Sequence, residues 1–283
     1  MAEPLSAAAV LAALRAEGVR VVEVGSWRTH NRDHKGPWGP VNGSVVHHTV
    51  TKGTASSVAI VRDGDAELPG PLCHGMIAKD GRVHLVGWGR TNHAGGGDPA
   101  VLAHVIAEDY DTRPPAPTRG NKDGVDGNAH FYGWECENLG DGKDPWPAAQ
   151  YDAIVRVQAA LCRAHGWSAK SVIGHLEWSS DKVDPRGFTM PDLRADVERR
   201  LTHPASWNPG SDTSEEDDMP TPLEVWGYRN ANEDKASFKK TGKHIPDAYK
   251  HLRDTDAHVT ALRTEVAALT KAIATLTELV RRA

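Results

Sequence analysis

The sequence predicts an α/β fold, a mixed central β-sheet flanked by helices, followed by a linker and a C-terminal coiled-coil helix. Three observations predict it. Short β-branched runs alternate with helix-length apolar patterns up to Leu201, without a regular repeat. A proline- and serine-rich acidic stretch then has almost nothing to bury. Beyond it, apolar residues recur at alternating intervals of three and four.

Pro4 to Glu17 carries leucines and alanines at helical spacing, with Gly18 as a stop. Val19 to Val24 reads as extended, and Gly43 to Val50 as a buried β-branched strand. Leu72 to Ala78 and Arg82 to Gly87 flank Lys79-Asp80-Gly81, a hairpin signal. Gly95-Gly96-Gly97 and Arg113-Pro114-Pro115-Ala116-Pro117 read as loops. Phe131 to Glu137 resumes a strand, Pro147 to His165 is a long helical pattern, and Val172-Ile173-Gly174-His175 ends another strand. Leu193 to Leu201 closes a first domain of residues 1–203 as a helix. Residues 204–222, with Pro204, Pro209, Pro220 and Pro222, form the linker. Residues 223–283 are a targeting or oligomerisation region, with a coiled coil over 252–283. There Val259, Val266, Ile273 and Val280 alternate with Leu262, Leu269 and Leu276, the choice that favours a parallel two-stranded coil and so self-association.

Composition narrows the function. With 39% apolar content in 283 residues, the chain can bury a core. The net charge is −5, and the run from Asp212 to Asp218 alone supplies five negatives. That balance argues against nucleic acid as a partner. Three widely spaced cysteines, Cys73, Cys136 and Cys162, suggest reduced thiols rather than a disulfide frame. No run of 18 apolar residues exists to insert into a membrane, and Met1-Ala2-Glu3-Pro4-Leu5 opens no signal peptide.

The chemistry is concentrated in a few places. Val45-Val46-His47-His48-Thr49 ends one strand, and Gly174-His175-Leu176-Glu177 with Lys182-Val183-Asp184-Pro185 follows far downstream. Two imidazoles and one carboxylate are ligands that Zn²⁺ takes, and a catalytic zinc keeps its fourth position open for water. That implies hydrolysis. Because a strand alternates faces, His47 and His48 cannot both reach one ion, and spacing alone does not choose between them.

These residues resemble the zinc-dependent N-acetylmuramoyl-L-alanine amidases, a family that includes phage endolysins and peptidoglycan-recognition proteins. His130-Phe131-Tyr132-Gly133-Trp134-Glu135-Cys136-Glu137-Asn138 is similar to its central strand, and Asn92-His93-Ala94-Gly95 to its substrate groove. The resemblance spans roughly residues 25 to 202. Trp27-Arg28-Thr29-His30-Asn31-Arg32 and Gly36-Pro37-Trp38-Gly39-Pro40 are similar to the lead-in of amidases from phages of actinobacteria.

The resemblance implies Zn²⁺ on His47, His175 and Asp184, with His48 left to packing and aspartate where some relatives have a thiolate. It implies Glu135 as general base, with Glu137 as its rival. Lys182 would stabilise the oxyanion and His93 would contact substrate. Cys73-His74 stands where some relatives carry a tyrosine, so any role of that tyrosine is absent.

The function expected is that of a phage endolysin cleaving the amide between N-acetylmuramic acid and L-alanine in bacterial peptidoglycan. It would wait in the host cytoplasm until another protein opens the membrane, and then act on the cell wall. The alternatives are a cytoplasmic amidase that recycles muropeptides and a peptidoglycan-binding module without activity. Glu215-Glu216-Asp217-Asp218-Met219 also has the layout of an internal translation start, which would yield a product of residues 219–283.

Overall fold

The computed structural model describes residues 2–208. The targeting or oligomerisation region with its coiled coil, and the candidate start at Met219, lie outside the described residues. In chain order the elements are α1 (Ala7–Ala16), β1 (Arg20–Glu23), β2 (Gly43–His48), α2 (Thr54–Asp63), β3 (Gly75–Ile77), β4 (Arg82–Leu85), β5 (Gly96–Gly97) and α3 (Pro99–Ala107). They continue with β6 (Val125–Asp126), β7 (Phe131–Cys136), α4 (Ala148–His165), β8 (Val172–Gly174), α5 (His175–Trp178) and α6 (Met190–Leu201).

Six strands form one sheet in the order β1-β4-β3-β7-β2-β8. Within this sheet only β3 and β4 pair antiparallel, and every other neighbouring pair is parallel; β5 and β6 form a separate antiparallel pair. The β3–β4 pair is the hairpin expected around Lys79-Asp80-Gly81, and Gly81 supplies the positive φ of 78° that its turn needs. The mixed sheet and its flanking helices agree with the fold class read from the sequence.

All six residues of β2 are buried, as befits a parallel strand covered on both faces. Alternation then sorts the side chains. Val46, Tyr132 and Trp134 join the core under α1, α4 and α6, with Leu14, Ile154, Leu161 and Val197. Val45, Phe131 and Ile173 point the other way, into a second cluster with Val101, Val105 and Trp178. With a period of two, His47 follows Val45 onto that second face, and Gly133 and Glu135 follow Phe131.

Two elements depart from the sequence reading. α3 lies between the two stretches read as loops, where no element was expected: Asp98 caps it by accepting from the Ala100 N–H, Pro99 occupies the first turn, and Val101, Leu102 and Val105 are buried. Its flanking glycines and prolines disguise a good helix start. His175 opens the short helix α5 instead of ending a strand, because Glu177 folds back to accept the Gly174 N–H at 3.2 Å.

The first part of the expected linker is tied to the domain. Arg200 donates to the Ala205 carbonyl at 3.1 Å and Arg156 to Asn208 Oδ1 at 2.8 Å. Further in, the buried Glu17 accepts from Arg163 Nε and Arg200 Nε, each at 2.6 Å, and so joins α1 to α4 and α6. Among the described residues, no helix is long and apolar enough to cross a membrane.

Candidate metal centre

The sheet brings residues far apart in sequence to one point at the carboxyl ends of β2, β7 and β8. β2 pairs with β8 through Val46 and Gly174, so His47 and His175 leave adjacent strands side by side. The loop after α5 returns Asp184 to them, held by the Leu176 N–H donating to the Asp184 carbonyl at 2.8 Å. His47 Nδ1 lies 2.9 Å from His175 Nδ1 and 3.1 Å from Asp184 Oδ2, and His175 Nδ1 lies 3.2 Å from the same oxygen. The three residues expected as ligands are therefore together, and buried or nearly so.

Electrostatics favours a cation among them. Burial, then the charge of His175, pushes His47 down to about 4, so its ring is neutral near pH 7. Burial would raise the Asp184 carboxyl, but its contacts with the His175 and His47 rings outweigh it and hold the group below the usual carboxylate range. A neutral His47 ring and the Asp184 anion thus share one space with the His175 ring. Either a shared proton or a cation must occupy it, and two nitrogens with one carboxylate oxygen suit Zn²⁺.

The surrounding residues are placed as follows. Glu135 stands opposite His47 in the parallel register of β2 and β7. Burial, reinforced by the Asp184 charge and opposed by Lys182, pushes its carboxyl up to about 8. Its Oε2 is buried and has no hydrogen-bond partner. Lys182 is half-buried on the loop before Asp184, and its charge reaches both His47 and Glu135. Glu137, the rival carboxylate, faces elsewhere: it accepts from the Gly53 N–H at 2.9 Å and from Thr54 Oγ1 at 2.8 Å, at the start of α2. His48 turns away from the ligands, with Arg186 N–H donating to its Nδ1 at 3.3 Å.

His93, read from sequence as a substrate contact, is only 8% exposed. Its Nδ1 is 3.1 Å from His47 Nε2 and its Nε2 is 3.2 Å from the Phe131 carbonyl oxygen, so both ring nitrogens have partners inside the protein. Cys73 is a further neighbour that the sequence did not single out as a candidate: Cys73, His47 and His93 offer donor atoms within 4.8 Å of one another. The three cysteines are unpaired and buried. Asn128 was also missed; its Oδ1 accepts from the N–H groups of both His93 and Ala94 at 2.8 Å. A lone asparagine before a strand carries no sequence signal for that role.

Buried imidazoles and a carboxylate around one point, with an unpartnered buried carboxyl beside them, are what a metal-assisted hydrolase requires. A family model described as N-acetylmuramoyl-L-alanine amidase matches residues 37–187, and the chain belongs to that family of peptidoglycan amidases. The matched segment contains His47, His93, Glu135, His175, Lys182 and Asp184. No curated protein matches the chain.

Among solved structures, the chain is similar to the endolysin N-acetylmuramoyl-L-alanine amidase LysCS from Clostridium intestinale URNW. That match has 16% identity and a TM-score of 0.39, over 62% of this chain and 94% of that one. It is also similar to the amidase AmiD from E. coli, at 17% identity and a TM-score of 0.39, over 57% of this chain and 59% of that one. A third is AmpDh3 from Pseudomonas aeruginosa, at 18% identity and a TM-score of 0.40, over 76% of this chain and 72% of that one.

Proposed function

We propose that the chain is a zinc-dependent phage endolysin that hydrolyses the amide between N-acetylmuramic acid and the L-alanine of the peptide stem. The observation that carries this is the approach of His47 Nδ1, His175 Nδ1 and Asp184 Oδ2 to within 2.9–3.2 Å of one another. Tetrahedral ligands at about 2.1 Å from zinc lie about 3.4 Å apart, so the three need to open only slightly to hold the ion with one position free. Bound there, zinc supplies Lewis acidity that polarises the scissile carbonyl and lowers the pKa of water.

The protein's own groups do the rest. Glu135 takes the proton of the attacking water and passes it to the departing amine of L-alanine. In the metal-free chain burial pushes this carboxyl up to about 8, and a dication beside it would draw it back towards the ionised form that a base needs. Lys182 sets positive charge beside the carbonyl oxygen as it becomes an oxyanion. Thr49 Oγ1 accepts from the N–H groups of Thr51 and Asn138, both at 3.3 Å, and ties the ends of β2 and β7 together around these groups.

The lysin role is supported by the likeness of Trp27 to Pro40 to phage amidases and by the acidic segment and heptad that follow the domain. The heptad is also the basis for proposing self-association. Digestion of purified peptidoglycan followed by mass spectrometry tests the reaction. New amino termini on L-alanine, abolished by a chelator and restored by Zn²⁺, are expected. Cleavage at a sugar–sugar bond, or full activity in the chelator, would overturn the proposal.

A further inference from the structure

We infer that His93 is a positioning residue, one that fixes the tautomer of His47 so that a lone pair on Nδ1 faces the metal centre. The inference rests on the reading above, in which His47, His175 and Asp184 hold the ion. It follows from hydrogen-bond accounting along three groups. A backbone carbonyl only accepts, so His93 Nε2, 3.2 Å from the Phe131 oxygen, carries a hydrogen. A neutral imidazole has one N–H, so His93 Nδ1 is an acceptor. It lies 3.1 Å from His47 Nε2, which must then be the donor. The only lone pair left on the His47 ring is at Nδ1, the atom 2.9 Å from His175 Nδ1.

His175 reaches the same state in one step, with its Nε2 at 3.2 Å from the Ala94 carbonyl oxygen. His47 has no carbonyl of its own. His93 relays one to it.

The relay is built into the fold. Asn128 grips the His93 backbone, and the ring lies against Gly133, where a Cβ would approach it to 2.4 Å. A small residue at that point of β7 is what lets an imidazole lie flat between Phe131 and His47. Ligand orientation by an outer hydrogen bond is a general feature of metal sites, and losing such a partner lowers metal affinity by about 10- to 100-fold.

The competing use of these atoms is a second cluster, in which His47, Cys73 and His93 themselves bind the ion. The two arrangements make opposite demands. In the second, His47 Nε2 must have no hydrogen and Cys73 must be a ligand. In the first, the three donor atoms lie 2.9–3.2 Å apart, each in contact with the other two, whereas in the second only His47 and His93 share a hydrogen bond, at 3.1 Å, and burial drives the Cys73 thiol well above its ordinary value. Both facts favour the relay.

Zinc affinity, measured by competition with a chromophoric chelator on the full chain, tests the inference together with folding by circular dichroism. His93→Leu should weaken binding by about 10- to 100-fold. His93→Asn, whose side-chain oxygen falls near the place of Nδ1, should recover most of that loss, and Cys73→Ser should leave affinity unchanged. Long-range ¹H–¹⁵N correlation of the metal-free wild-type chain should show the His47 proton on Nε2. Wild-type affinity in a folded His93→Leu chain would overturn the relay, as would loss of zinc in Cys73→Ser. If His93→Leu does not fold, the wild-type spectrum decides, and a His47 Nε2 that carries no proton refutes it. A wild-type chain that takes up no zinc defeats the proposed function instead, and the tautomer measurement still judges His93.

Discussion

His47 and Glu135 face each other across neighbouring parallel strands, one offering a ring nitrogen to the metal centre and the other an unpartnered carboxyl oxygen. Parallel strands lie about 4.8 Å apart, and register partners project to the same face. The carboxyl proposed as general base is thus located by the same backbone pairing that locates a proposed ligand.

Ligand removal gives the first prediction. His175→Ala or Asp184→Ala should reduce bound zinc to well below one per chain and abolish release of soluble fragments, because two remaining ligands hold the ion poorly. Metal analysis of the purified variants checks this. Full activity in Asp184→Ala would exclude the site.

The two neighbouring glutamates should separate cleanly. Glu135→Gln should keep its zinc while turnover falls by about 10² or more. Glu137→Gln should leave the chemistry largely intact but lower thermal stability, since that carboxylate accepts from Gly53 and Thr54 at the start of α2. The reverse pattern would exchange their roles.

Glu135 also predicts a pH effect on stability. Its folded carboxyl is pushed from an ordinary 4.5 up to about 8, so the folded chain holds this proton over a range where the unfolded chain has lost it. The stabilisation is complete below about 4.5 and is lost as the pH rises through about 8. Metal-free Glu135→Gln should therefore melt higher than metal-free wild type at pH 9, with the difference vanishing at pH 4. Equal melting temperatures at pH 9 would show that the carboxyl is not desolvated.

Gly133→Ala is the sharpest packing test. The new methyl would press within 2.4 Å of the His93 ring. A destabilisation of about 1–3 kcal/mol is expected for overpacking, together with weaker zinc binding. Denaturant titration and metal competition measure the two effects, and an unperturbed variant would mean that the strand yields at this point.

The heptad predicts a dimer through Val259 to Val280. Light scattering should give twice the chain mass, falling to one when residues after Leu252 are removed. A monomer at micromolar concentration would refute it.

Much of the fold and site was legible for definite reasons. Gly43 to His48 and Phe131 to Cys136 are rich in residues that suit buried strands, and α4 keeps its helical period from Ala148 to His165. The meeting of His47, His175 and Asp184 was legible because metal chemistry restricts residue types. α3 was not, since glycine and proline flank it and the run is short. The surroundings of His93 were illegible for a deeper reason: its partners are the Phe131 carbonyl, the Gly133 surface and Asn128, and backbone groups leave no mark on a sequence. Nor does a sequence say which strand lies beside which, and the pairing of β7 with β2 is what puts Glu135 next to His47.

Glu17 has a consequence for where the catalytic unit can be cut. Its carboxylate is shared by Arg163 and by Arg200, a residue 183 positions away in the chain. A protein trimmed before Arg200 would lose one cation from a buried anion and loosen its own first helix, at the opposite end of the sequence. Because Ala205 and Asn208 fasten back onto the same region, the smallest self-sufficient enzyme extends past α6, and shorter versions should be sensitive to proteases at their amino-terminal side.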